Sequence, residues 1–231
     1  MSKKYTTLLF DADNTLLDFD KAENVALKKV LADYSLPATE ENCRKYSEIN
    51  DALWKRFEKG EIEKSVIKAT RFKEFFEFMK VKEGYDPLKV NNTYISYLRD
   101  GGYTVEGASE LCESLKKKGY DIYIITNGIA MTQARRLKLS GLLPYIEDVF
   151  VSETIGFQKP MKEYFDYVLG SVKEKNKEKV LVIGDSLSSD IKGAQNAGLD
   201  YIWYNHRKEE IPEKLSAKAI VCDIRELHNI L

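Results

Sequence analysis

The sequence predicts an α/β protein: a parallel sheet covered by helices on both faces, with an all-helical domain inserted after the first strand. Three observations predict it. Residues 6–10 form a short apolar run of strand character that ends against Asp11. Residues 20–99 then carry almost nothing but three- and four-residue apolar spacing, the period of a helix. Beyond Gly101-Gly102, near-continuous apolar runs alternate with amphipathic stretches, the pattern of strands buried on both faces of a sheet.

Taken in order, the helical block resolves into four segments: "KAENVALKKVLADY" (21–34), "EENCRKYSEINDALWKRFEKG" (40–60), "EKSVIKATRFKEFFEFMK" (63–80) and "PLKVNNTYISYLRD" (87–100). Gly60, Gly84 and Pro87 punctuate them. The sheet resumes with "YDIYIIT" (120–126), "DVFVS" (148–152), "KVLVIGD" (179–185), "YIWYN" (201–205) and "AIVCD" (219–223). Helices are expected over 106–118, 129–140 and 161–173. The expected division is a core of residues 1–17 and 101–231 and a helical domain of residues 18–100. The chain passes between them near 14–20 and near 100–107, where Gly101, Gly102 and Gly107 offer hinge freedom. The run "KEKNKEK" (173–179) is expected to be a solvated loop.

Composition narrows the function. With 231 residues the chain has enough length for a sizeable core. Lys+Arg number 36 and Asp+Glu 37, so the net charge is −1, and neither a basic surface for a nucleic-acid polymer nor a membrane anchor is implied. The opening "MSKKYTTLLF" is too short an apolar run for a signal peptide, and no window approaches the ~18 apolar residues of a membrane span. A cytoplasmic protein is expected. Cys43, Cys112 and Cys222 are odd in number and widely spaced, which fits reduced thiols rather than disulfides or zinc. Nothing in the sequence specifies an oligomeric state.

In an open α/β sheet, ligands bind beyond the carboxyl ends of the strands. There the sequence places Asp11-x-Asp13-x-Thr15, then Thr126-Asn127-Gly128, then Lys159-Pro160, then Gly184-Asp185-Ser186 with Asp190 five residues after Asp185. With 15 Asp and 10 Thr in the chain, a chance DxDxT match is expected about 0.04 times. Taken singly, Thr126-Asn127 also fits a turn, Lys159 a surface lysine and Asp185-Ser186 a helix N-cap. Their joint order at successive strand ends marks a site.

These residues resemble the haloacid dehalogenase (HAD) superfamily of phosphohydrolases, over the whole chain. "DADNT" is similar to its first motif, "TNG" to its second, "QKP" to its third and "GDSLSSD" to its fourth. The resemblance implies a Rossmann-like core with an inserted all-α C1 cap, and Mg²⁺ as cofactor. Asn14 stands where glycine is common, a mild departure because Asn tolerates unusual backbone conformations. "KPMKEYF" lacks the proline often seen after the third-motif Lys-Pro, a departure in a loop beside the site.

Chemistry accounts for the same residue types. A carboxylate can attack phosphorus and form an aspartyl-phosphate, which suits Asp11 at the strand end. Anion meeting anion calls for a divalent cation, held by the carboxylates of Asp11 and Asp185 and, by resemblance, the backbone carbonyl of Asp13. The Asp13 side chain can protonate the departing alkoxide and later deprotonate water. Lys159 would balance charge, and Thr126, Asn127 and nearby backbone N–H groups would hold phosphoryl oxygens. Asp190 suits a supporting role on Lys159 or a metal-bound water. Asp20 suits a helix N-cap. Other outcomes keep parts of this set: a dehalogenase would not need Asp13, a phosphomutase would return the phosphoryl group to a sugar, and a binding protein would not turn over.

Selectivity must then come from the helical domain, where Phe19, Trp54, Arg71 and Phe72 could meet a base or sugar. At helical spacing, Trp54 with Phe57 and Phe72 with Phe75 and Phe76 fit the interior of that domain better than a ligand platform. "DADNTLLDFDKAE", "LWKRFEKGEI", "TRFKEF" and "IWYN" resemble the pyrimidine nucleoside monophosphate phosphatases. That resemblance implies a small nucleotide such as dUMP or dTMP as substrate, and among the flat and cationic residues Arg71 is the foremost candidate contact. Phosphoglycolate and sugar phosphates are the alternatives.

Overall fold

The computed structural model describes residues 4–81 and 84–231. Met1–Lys3, on which the reading of the chain start partly rests, lie outside the described residues. Two compact units emerge: one comprises the chain up to Asp18 and from Gly102 to Leu231, the other Phe19–Gly101.

The first unit is built on six parallel strands: β1 (Thr7–Asp11), β2 (Asp121–Thr126), β3 (Asp148–Val151), β4 (Val180–Gly184), β5 (Asp200–Tyr204) and β6 (Ala219–Val221), in the order β3-β2-β1-β4-β5-β6. Alternate residues of the strands face opposite layers, as the two-residue period requires. Leu8, Phe10, Ile122, Ile124, Leu181 and Ile183 pack with Leu111 and Leu115 of α5 (Ala108–Lys117). Leu9, Tyr123, Ile125, Val180 and Val182 pack on the other face with Tyr164, Phe165 and Val168 of α8 (Lys162–Ser171). Burial on both faces explains why these strands are nearly continuous apolar runs.

β1 pairs with β2 on one side and β4 on the other, with Asp11 opposite Ile125 and Phe10 opposite Ile183. The connections therefore depart in opposite directions from β1, and the crevice at such a switch point opens at the strands' carboxyl ends. Asp11 is the last residue of β1, one beyond the predicted strand end. The chain then turns tightly: Asn14 has φ of 57° and donates its N–H to the Leu17 carbonyl at 2.7 Å. That left-handed conformation is one Asn accepts at less cost than most residues.

The second unit contains α1 (Phe19–Asp33), α2 (Glu40–Glu58), α3 (Lys64–Phe78) and α4 (Pro87–Leu98). Thr39 caps α2, its hydroxyl accepting from Asn42 N at 3.2 Å, and Asp86 caps α4 ahead of Pro87. Helix α1 begins at Phe19, so Asp20 is a first-turn residue and not the expected N-cap; its carboxylate instead sits at the positive end of the helix dipole. Gly101 and Gly102 were expected as hinge residues, yet neither has positive φ. A Cβ on Gly101 would lie 2.7 Å from Ala22 Cβ, and one on Gly102 would lie 2.5 Å from Leu139 Cβ. Close packing within each unit is by itself enough to require glycine at these two positions.

Two short elements escape the periodicity. Helix α7 (Ser152–Ile155) follows β3, and after β4 a π turn, Leu187–Ile191, runs into α9 (Lys192–Ala197). Ser186 caps that turn by accepting from Ser189 N at 3.2 Å. The remaining helix, α6 (Ala130–Ser140), ends at Gly141 with φ of 75°. The 173–179 run is largely exposed, as expected. Cys43 and Cys112 are buried, Cys222 is exposed, and all three are free thiols. No helix among the described residues is long and apolar enough to cross a membrane.

Candidate active site

Parallel pairing turns residues distant in sequence into neighbours at one sheet edge. Asp11 ends β1, Thr126 ends β2 and Asp185 follows β4, while Lys159 arrives on the loop between α7 and α8. The Lys159 side chain is buried, and its ammonium donates to Asp11 Oδ1 at 2.5 Å, Asp190 Oδ1 at 2.6 Å and the Ile125 carbonyl at 3.1 Å. All three protons are thereby used. Burial opposes charge on Lys159, yet Asp11 and Asp190 outweigh it and hold the group protonated above the usual lysine range. Burial pushes the Asp11 carboxyl well upward, Asp190 and the other neighbouring carboxylates add to this, and Lys159 opposes it.

Asn127 locks the lysine loop in place. Its Nδ2 donates to the Lys159 carbonyl and its Oδ1 accepts from the Lys159 N–H, both at 2.9 Å. The side chain expected to hold phosphate thus serves as a clamp on the backbone of the residue that carries the ammonium. Asp190 is likewise committed: Oδ1 takes Lys159 and Oδ2 accepts from Ser186 N at 3.1 Å. A Cβ on Gly184 would lie 2.4 Å from Asp190 Cγ, so glycine at the end of β4 is what lets Asp190 reach the lysine.

Thr126 Oγ1 accepts from Gly128 N at 3.0 Å and from Gln133 Nε2 at 2.8 Å. With both lone pairs used, its hydrogen is the part left for an incoming acceptor. Its backbone N–H is held by the Tyr164 hydroxyl at 3.1 Å, which in turn donates to the Phe150 carbonyl at 2.7 Å. Asp13 is more open, with its side chain 28% exposed. Its Oδ2 accepts from Gln133 Nε2 at 2.7 Å and its Oδ1 from Arg136 Nη1.

Carboxylate oxygens of Asp11, Asp185 and Asp190 lie within 4.8 Å of one another. Burial raises the Asp185 carboxyl, His206 draws it down, and Asp190 raises it further; His206 Nε2 is 3.7 Å from Asp185 Oδ2. Three buried or half-buried carboxylates facing one ammonium leave an excess of negative charge, and oxygen-only donors suit a hard divalent cation. The set fits Mg²⁺. Because Lys159 and Ser186 occupy Asp190, Asp11 and Asp185 are the carboxylates available to it.

Of the residues expected in the helical unit to meet substrate, Arg71 and Phe72 are interior. Arg71 is 3% exposed and spends its guanidinium inside that unit, with Nε and Nη2 donating to Asn91 Oδ1 at 2.8 and 2.6 Å. It is not a surface contact, because a desolvated guanidinium requires fixed partners and has found them. Phe72 is fully buried among Tyr46, Phe75, Phe76 and Tyr94. Trp54 and Phe19 are half-buried, Trp54 meeting Phe57 edge-on at 5.6 Å.

Sequence reasoning missed Gln133, Arg136 and Tyr164. Gln133 and Arg136 lie three residues apart on α6, among the positions that α6 buries along with Leu137. Polar residues on a buried helix face were the available signal.

A parallel sheet with carboxylates and one lysine converging at its switch point defines an α/β enzyme. Residues 5–198 match the family model of haloacid dehalogenase-like hydrolases, and the chain belongs to that family. It is 43% identical to the pyrimidine 5′-nucleotidase PynA of Streptococcus pneumoniae over 87% of this chain and 84% of that protein. Identity to the pyrimidine 5′-nucleotidase YjjG of Escherichia coli is 33%, over 99% and 98%. Among solved structures, the HAD-hydrolase YfnB of Bacillus subtilis, bound to magnesium, superimposes with a TM-score of 0.92 at 40% identity, covering 99% of each chain. The protein is an enzyme, a phosphatase of the HAD superfamily.

Proposed function

We propose that this phosphatase is a Mg²⁺-dependent phosphomonoesterase that forms an aspartyl-phosphate on Asp11 and acts on small nucleoside monophosphates, pyrimidine 5′-nucleotides foremost. Lys159 carries the proposal for the chemistry: a buried ammonium shared by Asp11 and Asp190 holds the Asp11 carboxylate in one orientation at the end of β1. Asp11, Asp185 and the Asp13 backbone carbonyl would hold Mg²⁺, which would supply positive charge to offset the repulsion between nucleophile and phosphoryl oxygens.

Asp11 attacks phosphorus as the ester oxygen departs, and the phosphoryl group passes to its carboxylate. The Thr126 hydroxyl donates its hydrogen to a phosphoryl oxygen, and Lys159 balances the charge that accumulates beside Asp11. Asp13 gives a proton to the leaving alkoxide, then takes one from the water that attacks the aspartyl-phosphate. Two displacements thus regenerate Asp11 and release inorganic phosphate.

Two relatives named pyrimidine 5′-nucleotidases, each aligned over most of the chain, support the substrate class. Specificity constants for UMP, dUMP, dTMP, AMP, phosphoglycolate and glucose 6-phosphate, measured side by side with Mg²⁺ titrated, test it. A pyrimidine nucleotide is expected to lead and turnover to require the metal. Preference for phosphoglycolate or a sugar phosphate by more than about tenfold, ~1.4 kcal/mol in transition-state binding, would overturn the substrate assignment while leaving the phosphatase chemistry in place.

A further inference from the structure

We propose that Gln133 and Arg136 are the positioning residues of this reaction: from one face of α6 they hold the Asp13 carboxylate and the Thr126 hydroxyl in a fixed mutual arrangement. The proposal rests on Asp13 acting as the acid and base described above.

Gln133 is the link between the two groups. One Nε2 hydrogen goes to Asp13 Oδ2 at 2.7 Å, the other to Thr126 Oγ1 at 2.8 Å. Its Oε1 accepts from Arg136 Nη1 at 3.0 Å. The amide cannot be turned over, because that would face its oxygen to a carboxylate and its NH₂ to a guanidinium, which only donates. Both residues are 1% exposed, whereas the Asp13 side chain is 28% exposed. The cation is therefore the deep, anchored end of the ion pair and the carboxylate its open end.

Gly128 supplies an independent indication. A Cβ there would lie 2.6 Å from Gln133 Nε2 and 2.8 Å from Gln133 Cδ. The glycine of Thr126-Asn127-Gly128 thus makes room for this amide, while its own N–H takes the second lone pair of Thr126 Oγ1. Buried polar side chains are costly to retain, and here both amide hydrogens of Gln133 are spent on Asp13 and Thr126 while Arg136 Nη1 is spent on Asp13 and on Gln133 itself.

A good leaving group needs little help from an acid, so positioning of Asp13 is read in the contrast between p-nitrophenyl phosphate and an alkyl ester such as dUMP. Gln133→Leu and Arg136→Lys are each expected to lower kcat/KM, which reports the first displacement alone, for dUMP by roughly tenfold more than for p-nitrophenyl phosphate. Arg136→Lys leaves KM for the aryl ester unchanged, whereas Gln133→Leu raises it, because Thr126 loses one of the donors that direct its hydrogen. In an Asp13→Asn background neither substitution widens the contrast further, as expected for residues acting through Asp13. Equal losses on both esters, or an additive widening in the Asp13→Asn background, would overturn the proposal. If Arg136→Lys does not fold, as judged by circular dichroism, Gln133→Leu decides alone. If Asp13→Asn itself shows no contrast, the acid–base assignment falls and this proposal with it; if Asp13→Asn shows it and Gln133→Leu does not, only the positioning falls.

Discussion

Each unit contains a buried polar cluster, and the two differ in their charge balance. In the helical unit, Glu23, Asn50, Arg71 and Asn91 come one from each of the four helices and are all less than 5% exposed. Asn50 donates to Glu23 Oε1 at 2.8 Å, and Arg71 donates to Asn50 and Asn91 while lying 4.6 Å over the Tyr94 ring. One acid faces one base, and the intervening amides complete the hydrogen bonds. At the sheet edge, by contrast, Asp11, Asp13, Asp185 and Asp190 outnumber Lys159 and Arg136. A balanced cluster fixes how helices pack; an unbalanced one keeps a standing demand for a cation. Burial alone does not separate scaffold from site, whereas charge balance does.

Asp11→Asn breaks the comparison with the largest effect. Turnover should fall by about 10⁴-fold or more, as when a nucleophile is removed. Thermal stability should hold or rise, because one of several crowded carboxylates is gone while Asp190 still pairs Lys159. Phosphate release and melting curves of the purified variant check both, and activity near wild type would contradict the assignment.

Arg71→Met should do the reverse. It strands Glu23 and Asn91 in the helical interior and should cost about 3–5 kcal/mol in urea unfolding, with kcat on p-nitrophenyl phosphate per folded molecule little changed. A variant of normal stability with a large rise in KM for nucleotides alone would instead return Arg71 to the substrate.

A smaller effect tests the balance itself. Burial pushes Glu23 from its ordinary 4.5 up to about 7, with Ser47 and Asn50 opposing the shift. The folded protein therefore keeps a proton there that the unfolded chain gives up, so its stability declines as pH rises from about 4.5 and levels off above 7. Glu23→Gln removes that slope while still accepting from Asn50. Its stability advantage should be near zero at pH 4.5 and grow to no more than roughly 3 kcal/mol at pH 8. Parallel pH curves for the two proteins would show that Glu23 titrates normally.

Much of the site was legible because parallel pairing is predictable. Once β1, β2 and β4 are recognised as adjoining buried strands, residues just past their ends must meet, and Asp11, Thr126 and Asp185 do. Asp190 was expected to support Lys159, and it does. What was not legible depends on which way a side chain turns after the chain folds. Asn127 faces the backbone of Lys159, 32 residues away, and no local pattern encodes that. Arg71 occupies a helical position where a cation looks the same in sequence whether it points inward or outward. The π turn at Leu187–Ile191 carries Asp190 to its long-range contact with Lys159, and a contact 31 residues away leaves no mark in helical spacing.

The central claim is that the Asp11 carboxylate becomes phosphorylated. Rapid mixing with substrate and Mg²⁺, quenching in acid and reduction with borohydride would convert an aspartyl-phosphate to homoserine, which peptide mass spectrometry locates. Homoserine at position 11, absent without substrate and absent in Asp11→Asn, is the predicted result, and with p-nitrophenyl phosphate the label should persist longer in Asp13→Asn because that variant lacks the base for the second step. A label at any other acid, or none at a time when phosphate is being released in steady state with the intermediate chemically stable to the quench, would contradict it.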